Sequence, residues 1–184
     1  MGNSSASVSL QITARDVLTS GLARGVIPMQ FAQILELNNG LADANIDLAY
    51  ADTKVGVAAS NTPGQSYDLV GTSLKDNFGA SVSFAEVVLI ALYNRRLDAG
   101  AYLQVGPHAT NGFGRLSGSK GFWPADLAAD ADQGSIVGPG AWLCLFDPTG
   151  VPAGAGATDI LTVITSAVAG STNGWDLLIL GRSA

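Results

Sequence analysis

Charge is what this chain has least of. Only 13% of its 184 residues are Asp, Glu, Lys or Arg, against roughly 25% in an ordinary soluble domain. The lysines are Lys54, Lys75 and Lys120, and the acids comprise thirteen Asp but only Glu36 and Glu86. Exposed helical surface is normally filled with Glu, Lys, Gln and Arg, which lose little rotamer freedom there, so their scarcity excludes a protein built on long helices. Cysteine is nearly missing as well: Cys144 stands alone and cannot close an internal disulfide, which leaves stability to packing or assembly. No apolar run approaches the ~20 residues needed to span hydrocarbon. The longest, residues 87–93, has seven, so the mean hydropathy of +0.30 does not signal a membrane helix. Residues 1–9 are small and polar, without the basic and apolar regions of a secretory signal.

Basic residues are too few to grip phosphates. The net charge of −6, with Arg95–Arg96 as the only adjacent basic pair, and a pI near 4.4 argue against a nucleic-acid partner, because such binding requires clustered cations. Hydrophobic residues nevertheless make up 47% of the chain. A monomer covers itself with solvated polar groups, and large exposed apolar patches mark interfaces. The expectation is a protomer whose apolar surface is covered by neighbouring copies.

What the chain has in excess is glycine, 23 of 184 residues against a usual share of roughly 7%, spaced among short alternating segments. Val8-Ser-Leu-Gln-Ile12 carries the period-2 signature of a half-buried strand. Residues 17–24, with Asp16 as cap, form the one helix candidate, weakened by Gly21 and Gly25 and ended by Pro28. Alternation resumes with Phe31, Gln33, Leu35 and Leu37, then with Ile46, Leu48 and Tyr50, and again with Tyr67, Leu69 and Gly71. In residues 81–93 periodicity alone does not separate a buried helix from a strand buried on both faces, and the β-branched residues and β surroundings favour a central strand. Residues 101–105, 141–146, 160–168 and 175–181 read as further strands, with turns at Asn61-Thr-Pro-Gly64, Asp147-Pro-Thr-Gly150 and Ser171-Thr-Asn-Gly174. The Gly-Ala tract at 152–157 reads as a hairpin loop. Eight to ten short strands at this spacing predict a mainly β protein, a single antiparallel β-sandwich of jelly-roll-like type. Residues 1–28 are expected to form an N-terminal arm with the first strand, and residues 29–184 the sandwich. Trp142, Phe146, Leu177 and Ile179 are predicted core, and Val8, Leu10 and Ile12 are predicted to pair with a neighbour's sheet edge.

No catalytic constellation emerges. His108, the single histidine, lies in a Gly- and Asn-bearing loop, and no G-x-S-x-G element supplies a nucleophile for it. Cys144 alternates with Trp142 and Phe146 and is expected to be buried and inert. Asp126, Asp130 and Asp132 are close in sequence but lack the Gly and distal Glu of a calcium loop. Phosphate-binding glycine motifs and zinc- or iron-ligand clusters are likewise missing. No catalytic, cofactor-binding or metal-ligating residue is therefore assigned, and no cofactor is expected. Phe113, Phe122 and Trp123, in the loop region 108–132, read as core or intersubunit anchors, or else as a surface for stacking on sugars.

Three stretches carry a resemblance: Leu37-Asn-Asn-Gly-Leu-Ala-Asp-Ala-Asn through Ala51-Asp-Thr-Lys, Tyr67-Asp-Leu-Val-Gly, and Ser81-Val-Ser-Phe-Ala-Glu-Val-Val. Together with Val137-Gly-Pro-Gly-Ala, Gly156-Ala-Thr-Asp-Ile-Leu-Thr-Val and the C-terminal Trp175-Asp-Leu-Leu-Ile-Leu-Gly-Arg-Ser-Ala184, they resemble small virion proteins of tailed bacteriophages. The likeness covers about residues 35–184, consists of strand and turn residues, and leaves the first 30 residues unmatched. It implies a non-enzymatic structural protein of the virion, assembled in the bacterial cytoplasm. The first choice is a head decoration or cement protein, a homo-oligomer taken as a trimer, bound to the major capsid protein or other virion proteins, with no nucleic acid and no membrane. An acidic exterior suits the outside of a particle. The alternative is a tail or fibre module that binds a host receptor through residues 112–123. An enzyme such as a depolymerase is a distant third.

Overall fold

The computed structural model describes residues 6–20, 23–58, 65–76, 78–115, 120–124, 134–165 and 172–183. Its strands are β1 (Ala6–Ser20), β2 (Ala23–Asn39), β3 (Asn45–Ile46), β4 (Leu48–Ala58), β5 (Gln65–Asp68), β6 (Glu86–Asn94), β7 (Leu103–Pro107), β8 (Ser135–Val137), β9 (Trp142–Pro152), β10 (Ile160–Thr165) and β11 (Thr172–Arg182). There is no helix among the described residues. The chain is mainly β, as its poverty in Glu and Lys predicts. Two four-stranded antiparallel sheets, ordered β4-β11-β6-β9 and β5-β10-β7-β8, pack face to face as a β-sandwich.

Each sheet donates every second side chain to the space between them, as the pleat dictates. Ile90 and Leu92 of β6 and Trp175, Leu177 and Ile179 of β11 meet Tyr67, Leu103, Val105, Leu161 and Val163 from the opposite sheet in one core. β6 and β11 are the central strands of their sheet, and β6 is buried on both faces at Leu89 and Ile90. That explains its unbroken apolar sequence. Between Leu180 and Gly181 the β11–β6 register slips. A Cβ on Gly181 would press against the Glu86 carbonyl and the Phe84 ring, so the slip depends on glycine there.

Several expectations need correction. Of the residues expected in a helix over 17–24, those described, 17–20 and 23–24, are extended: β1 and β2 pair antiparallel from Ala6–Leu37 through Ser20–Ala23. β-branched Val17 and Thr19 fit a pleated strand better than a helix, and Pro28 is tolerated where β2 has β1 alone beside it, its pairing with β3 being confined to Asn38 and Asn39. β1 pairs with β2 on one side and stands at the edge of its sheet, the side on which the expected pairing of Val8, Leu10 and Ile12 with a neighbour's edge would form. β2 runs unbroken across residues 28 and 29 and ends at Asn39, where it takes up parallel pairing with β3. The chain bends at Asp47 between β3 and β4, so Ile46 and Tyr50, expected on one face, enter two separate apolar clusters.

Asp147-Pro-Thr-Gly150 turns as predicted but does not end its strand. β9 pairs with β6 at Phe146–Leu89 and resumes at Val151–Val87, so these four residues loop out as a wide bulge. Asp147 Oδ1 holds the turn by accepting from Thr149 N at 2.9 Å and Thr149 Oγ1 at 2.7 Å. The Gly-Ala tract at 152–157 is a crossover rather than a hairpin loop, because β9 and β10 belong to different sheets. The turn at 61–64 lies outside the described residues, as do residues 166–171, which include Ser171 and the predicted end of β10.

Candidate functional site

Because side chains alternate, the sheet β4-β11-β6-β9 has a second face turned away from the core. Register places Trp142, Cys144 and Phe146 of β9 beside Tyr93, Ala91 and Leu89 of β6. These in turn lie beside Asp176, Leu178 and Leu180 of β11, and then Thr53, Ala51 and Ala49 of β4. Among these twelve positions Asp176 is the only charge, and its carboxylate is already engaged, accepting from Arg95 Nη1 at 3.0 Å and Thr53 Oγ1 at 2.8 Å. Soluble sheets normally present a polar face to water. Here Trp142 is 70% exposed, Phe146 38% and Leu178 37%, while Cys144, Ala49 and Ala51 are also exposed. Trp142 stacks on Tyr93 with ring centroids 4.6 Å apart, a neighbour that holds the indole flat against the sheet.

One end of this face is covered, and the cover comes from the N-terminal ribbon. Leu37 at the root of β2 and Ile46 of β3 pack with Val88, Leu89 and Leu180 and against Ala91. Arg182, 1% exposed, fastens the root. Its Nε donates to Glu86 Oε2 at 2.7 Å, Nη1 to the Ala42 carbonyl at 2.9 Å, and Nη2 to the Thr149 carbonyl at 2.5 Å. Lys120 Nζ adds a hydrogen bond to the same Thr149 carbonyl at 2.8 Å. One guanidinium thus ties together β11, β6, the loop after β2 and the β9 bulge. Gly150, at φ 75°, completes the bulge where a Cβ would collide with Arg182.

At the β4 edge the face opens into a groove of about 440 Å³ lined by Ala49, Ala51, Asp47, Asp76 and Phe78 among others. Both carboxylates at the groove serve the fold. Asp76 Oδ1 accepts from Phe78 N at 2.9 Å and Ala80 N at 2.8 Å, and Asp47 accepts from Ser183 N at 2.7 Å and Ser183 Oγ at 2.5 Å. Phe78 is 96% exposed and extends the uncovered apolar surface beyond the sheet.

The residues weighed for chemistry are scattered. His108 Nδ1 accepts from Thr110 N at 3.2 Å, within its own turn. Phe113 and Trp123, with the adjoining Phe122, belong to the core cluster rather than to an outward surface. Asp126, Asp130 and Asp132 lie outside the described residues. Trp142 and Phe146, expected in the core, are on the outer face, as is Cys144, expected buried. The inward positions of β9 are taken by Leu143 and Leu145. Partial burial still pushes the Cys144 thiol up from its ordinary range.

Two hydroxyls inside the sandwich are shifted as well, for structural reasons. Burial, with Asp52 nearby, raises Tyr67 and Tyr50 above the usual phenol range. Tyr67 Oη donates to Asp52 Oδ2 at 2.9 Å. Asn94, fully buried, donates through Nδ2 to the carbonyls of Ala101, Val137 and Gly138, closing one end of the sandwich. None of these groups converges on an open cleft. The uncovered face was announced by the composition but not located by it, since alternation in β9 shows which residues share a side without showing which side is inward. No protein-family model matches the chain, nor does any curated protein or solved structure.

Proposed function

We propose that the chain is a non-enzymatic structural protein of a bacteriophage virion, a decoration or cement subunit that assembles as an oligomer on the head and contacts the major capsid protein. The observation that carries this reading is the uncovered apolar face of β4-β11-β6-β9. A free monomer pays in solubility for such a patch, and a subunit enclosed by neighbours does not. The likeness of residues 35–184 to small virion proteins of tailed bacteriophages supplies the class, and the net charge of −6 suits a surface kept off packaged DNA. The receptor-binding alternative is less favoured because, of the aromatic residues that would serve it, Phe113 and Trp123 are buried and Phe122 is half-buried against the core.

The test is addition of purified protein to capsids that lack it. A decoration subunit binds them saturably and raises the temperature at which they release DNA. Adsorption to host cells with block of infection, and no binding to capsids, makes it a receptor module instead. Hydrolysis of a host polysaccharide overturns the structural reading altogether.

A further inference from the structure

Resting on that reading of an assembling subunit, we infer that the uncovered face is the seat for the β1–β2 ribbon of a second copy of this chain. The unbroken register from Ala6–Leu37 to Ser20–Ala23 fixes which residues share a face of the ribbon. Val8, Leu10 and Ile12 are placed on the same face as Leu35, Gln33 and Phe31, and Leu37 is on that face too. The opposite face carries Ser7, Ser9, Gln11 and Thr13 beside Glu36, Ile34, Ala32 and Gln30, and is the more polar of the two. A two-stranded ribbon is at best marginally stable in water unless its apolar face is packed. The protein therefore has an uncovered apolar face on the sheet and a ribbon whose register gathers apolar residues on one of its two faces.

Three observations join them. Leu37, at the root of the ribbon face, already packs on Leu89 and Leu180 of the outer sheet face, so the contact chemistry is in use within one chain and stops where the covered end stops. Charge does not oppose the match: the sheet face holds only Asp176, already paired with Arg95, and the ribbon face from Val8 to Met29 holds only Asp16. Reach points to another copy rather than to the same chain. Fifteen paired positions at ~3.3 Å each carry the ribbon roughly 50 Å from end to end, and no register shift offers a place to fold back. Meanwhile Trp142 and Leu178 of the same chain stay open. Each copy then gives one ribbon and receives one, an arrangement that closes as a reciprocal pair or a ring.

The experiment uses the full chain and two single variants, Leu178→Arg on the sheet face and Ile12→Asp on the ribbon. Mass photometry reads assembly, and maleimide labelling of Cys144, the only thiol, reads coverage of the face. Wild type is expected to be oligomeric, with labelling slowed about tenfold or more relative to the variants when most faces are occupied. Each variant alone should be monomeric and quickly labelled, with its near-ultraviolet dichroism intact. Mixed together they should form a one-to-one complex, since the first still donates a ribbon and the second still offers a face. Failure of the mixture to associate overturns the seat. So does loss of assembly in Leu178→Arg but not Ile12→Asp, which means sheet faces meet each other, and so does a wild-type monomer with protected Cys144, which means the ribbon folds back. An oligomer that survives both substitutions also overturns the seat yet leaves the assembling-subunit reading intact, and binding to capsids tests that reading independently.

Discussion

The Trp175 indole N–H donates to the Tyr67 hydroxyl at 3.0 Å, a bond that crosses the sandwich from β11 to β5 between residues 108 apart in sequence. Tyr67 passes the chain of donation to Asp52 Oδ2, which also meets Lys54 Nζ at 3.0 Å. Both rings are buried, with Trp175 0% exposed and Tyr67 2%, so each polar atom depends on this arrangement for its partner. Tyr67→Phe keeps the ring and strands the indole N–H. Equilibrium urea unfolding should show a loss of about 1–3 kcal/mol, the cost of an unmet buried donor. An unchanged midpoint would mean that water replaces the hydroxyl.

The same tyrosine sets a limit at high pH. Burial holds its folded-state ionisation above the ordinary phenol value of about 10, and Tyr50 is raised in the same direction. A raised acid contributes stability that is complete below its unfolded pKa and is lost as pH climbs toward the folded value. Unfolding free energy should accordingly be flat below pH ~9 and fall above pH ~10, by up to about 1.4 kcal/mol per pH unit for each proton the folded state retains. In Tyr67→Phe the fall should be shallower. Denaturant titrations from pH 8 to 11 on both proteins measure the two slopes.

Arg182 offers a test of the root. Its guanidinium is almost fully enclosed and its partners come from three separate segments. Arg182→Met fills similar volume but takes the hydrogen-bonded cation from the Glu86 carboxylate and one donor each from the Ala42 and Thr149 carbonyls, which keep Asn45 N and Lys120 Nζ. A loss on the order of 3 kcal/mol is expected, reduced somewhat because Glu86 keeps partial access to water. Glu86→Gln retains a hydrogen-bond acceptor and should cost less. A smaller loss for Arg182→Met than for Glu86→Gln in thermal or urea unfolding would show that the carboxylate pair, not the carbonyl contacts, holds the root.

How much of this could be read beforehand depended on which physical signal each segment carried. β6, β10 and β11 were legible because a run of β-branched and apolar residues bounded by glycine has few alternatives. The ribbon was half legible: Val8 to Ile12 alternate plainly, but Asp16 ahead of a short apolar stretch broken by Gly21 and Gly25 suggested a helix or an irregular arm, and only the pairing of β1 with β2 shows a strand. Trp142 and Phe146 misled because size is a poor guide to burial when a strand is apolar on both sides. Leu143 and Leu145 are smaller, and they are the ones turned inward. The Arg182 network was invisible, since Glu86 and Arg182 are 96 positions apart and no local pattern links them. Even so, the low charge count pointed at the correct property of the surface before any face could be named.

Leu177 and Leu178 put that property to a direct test, because they are adjacent, chemically identical and on opposite sides of β11. Leu177 is 2% exposed within the core cluster and Leu178 is 37% exposed on the outer face. Leu177→Ala removes packed methyl groups and leaves a cavity between the sheets, so unfolding should become easier by about 2–5 kcal/mol. Leu178→Ala touches only surface in the isolated chain, and its effect on a monomer's unfolding should stay within about 0.5 kcal/mol. On assembly the order reverses. Leu178→Ala shrinks the apolar face available to a neighbour and should weaken self-association, whereas Leu177→Ala, measured at a temperature where it remains folded, should leave it unchanged. Urea unfolding at low protein concentration gives the first comparison and sedimentation over a concentration series the second. Equal effects of the two substitutions in either measurement would contradict the two-faced reading of this sheet.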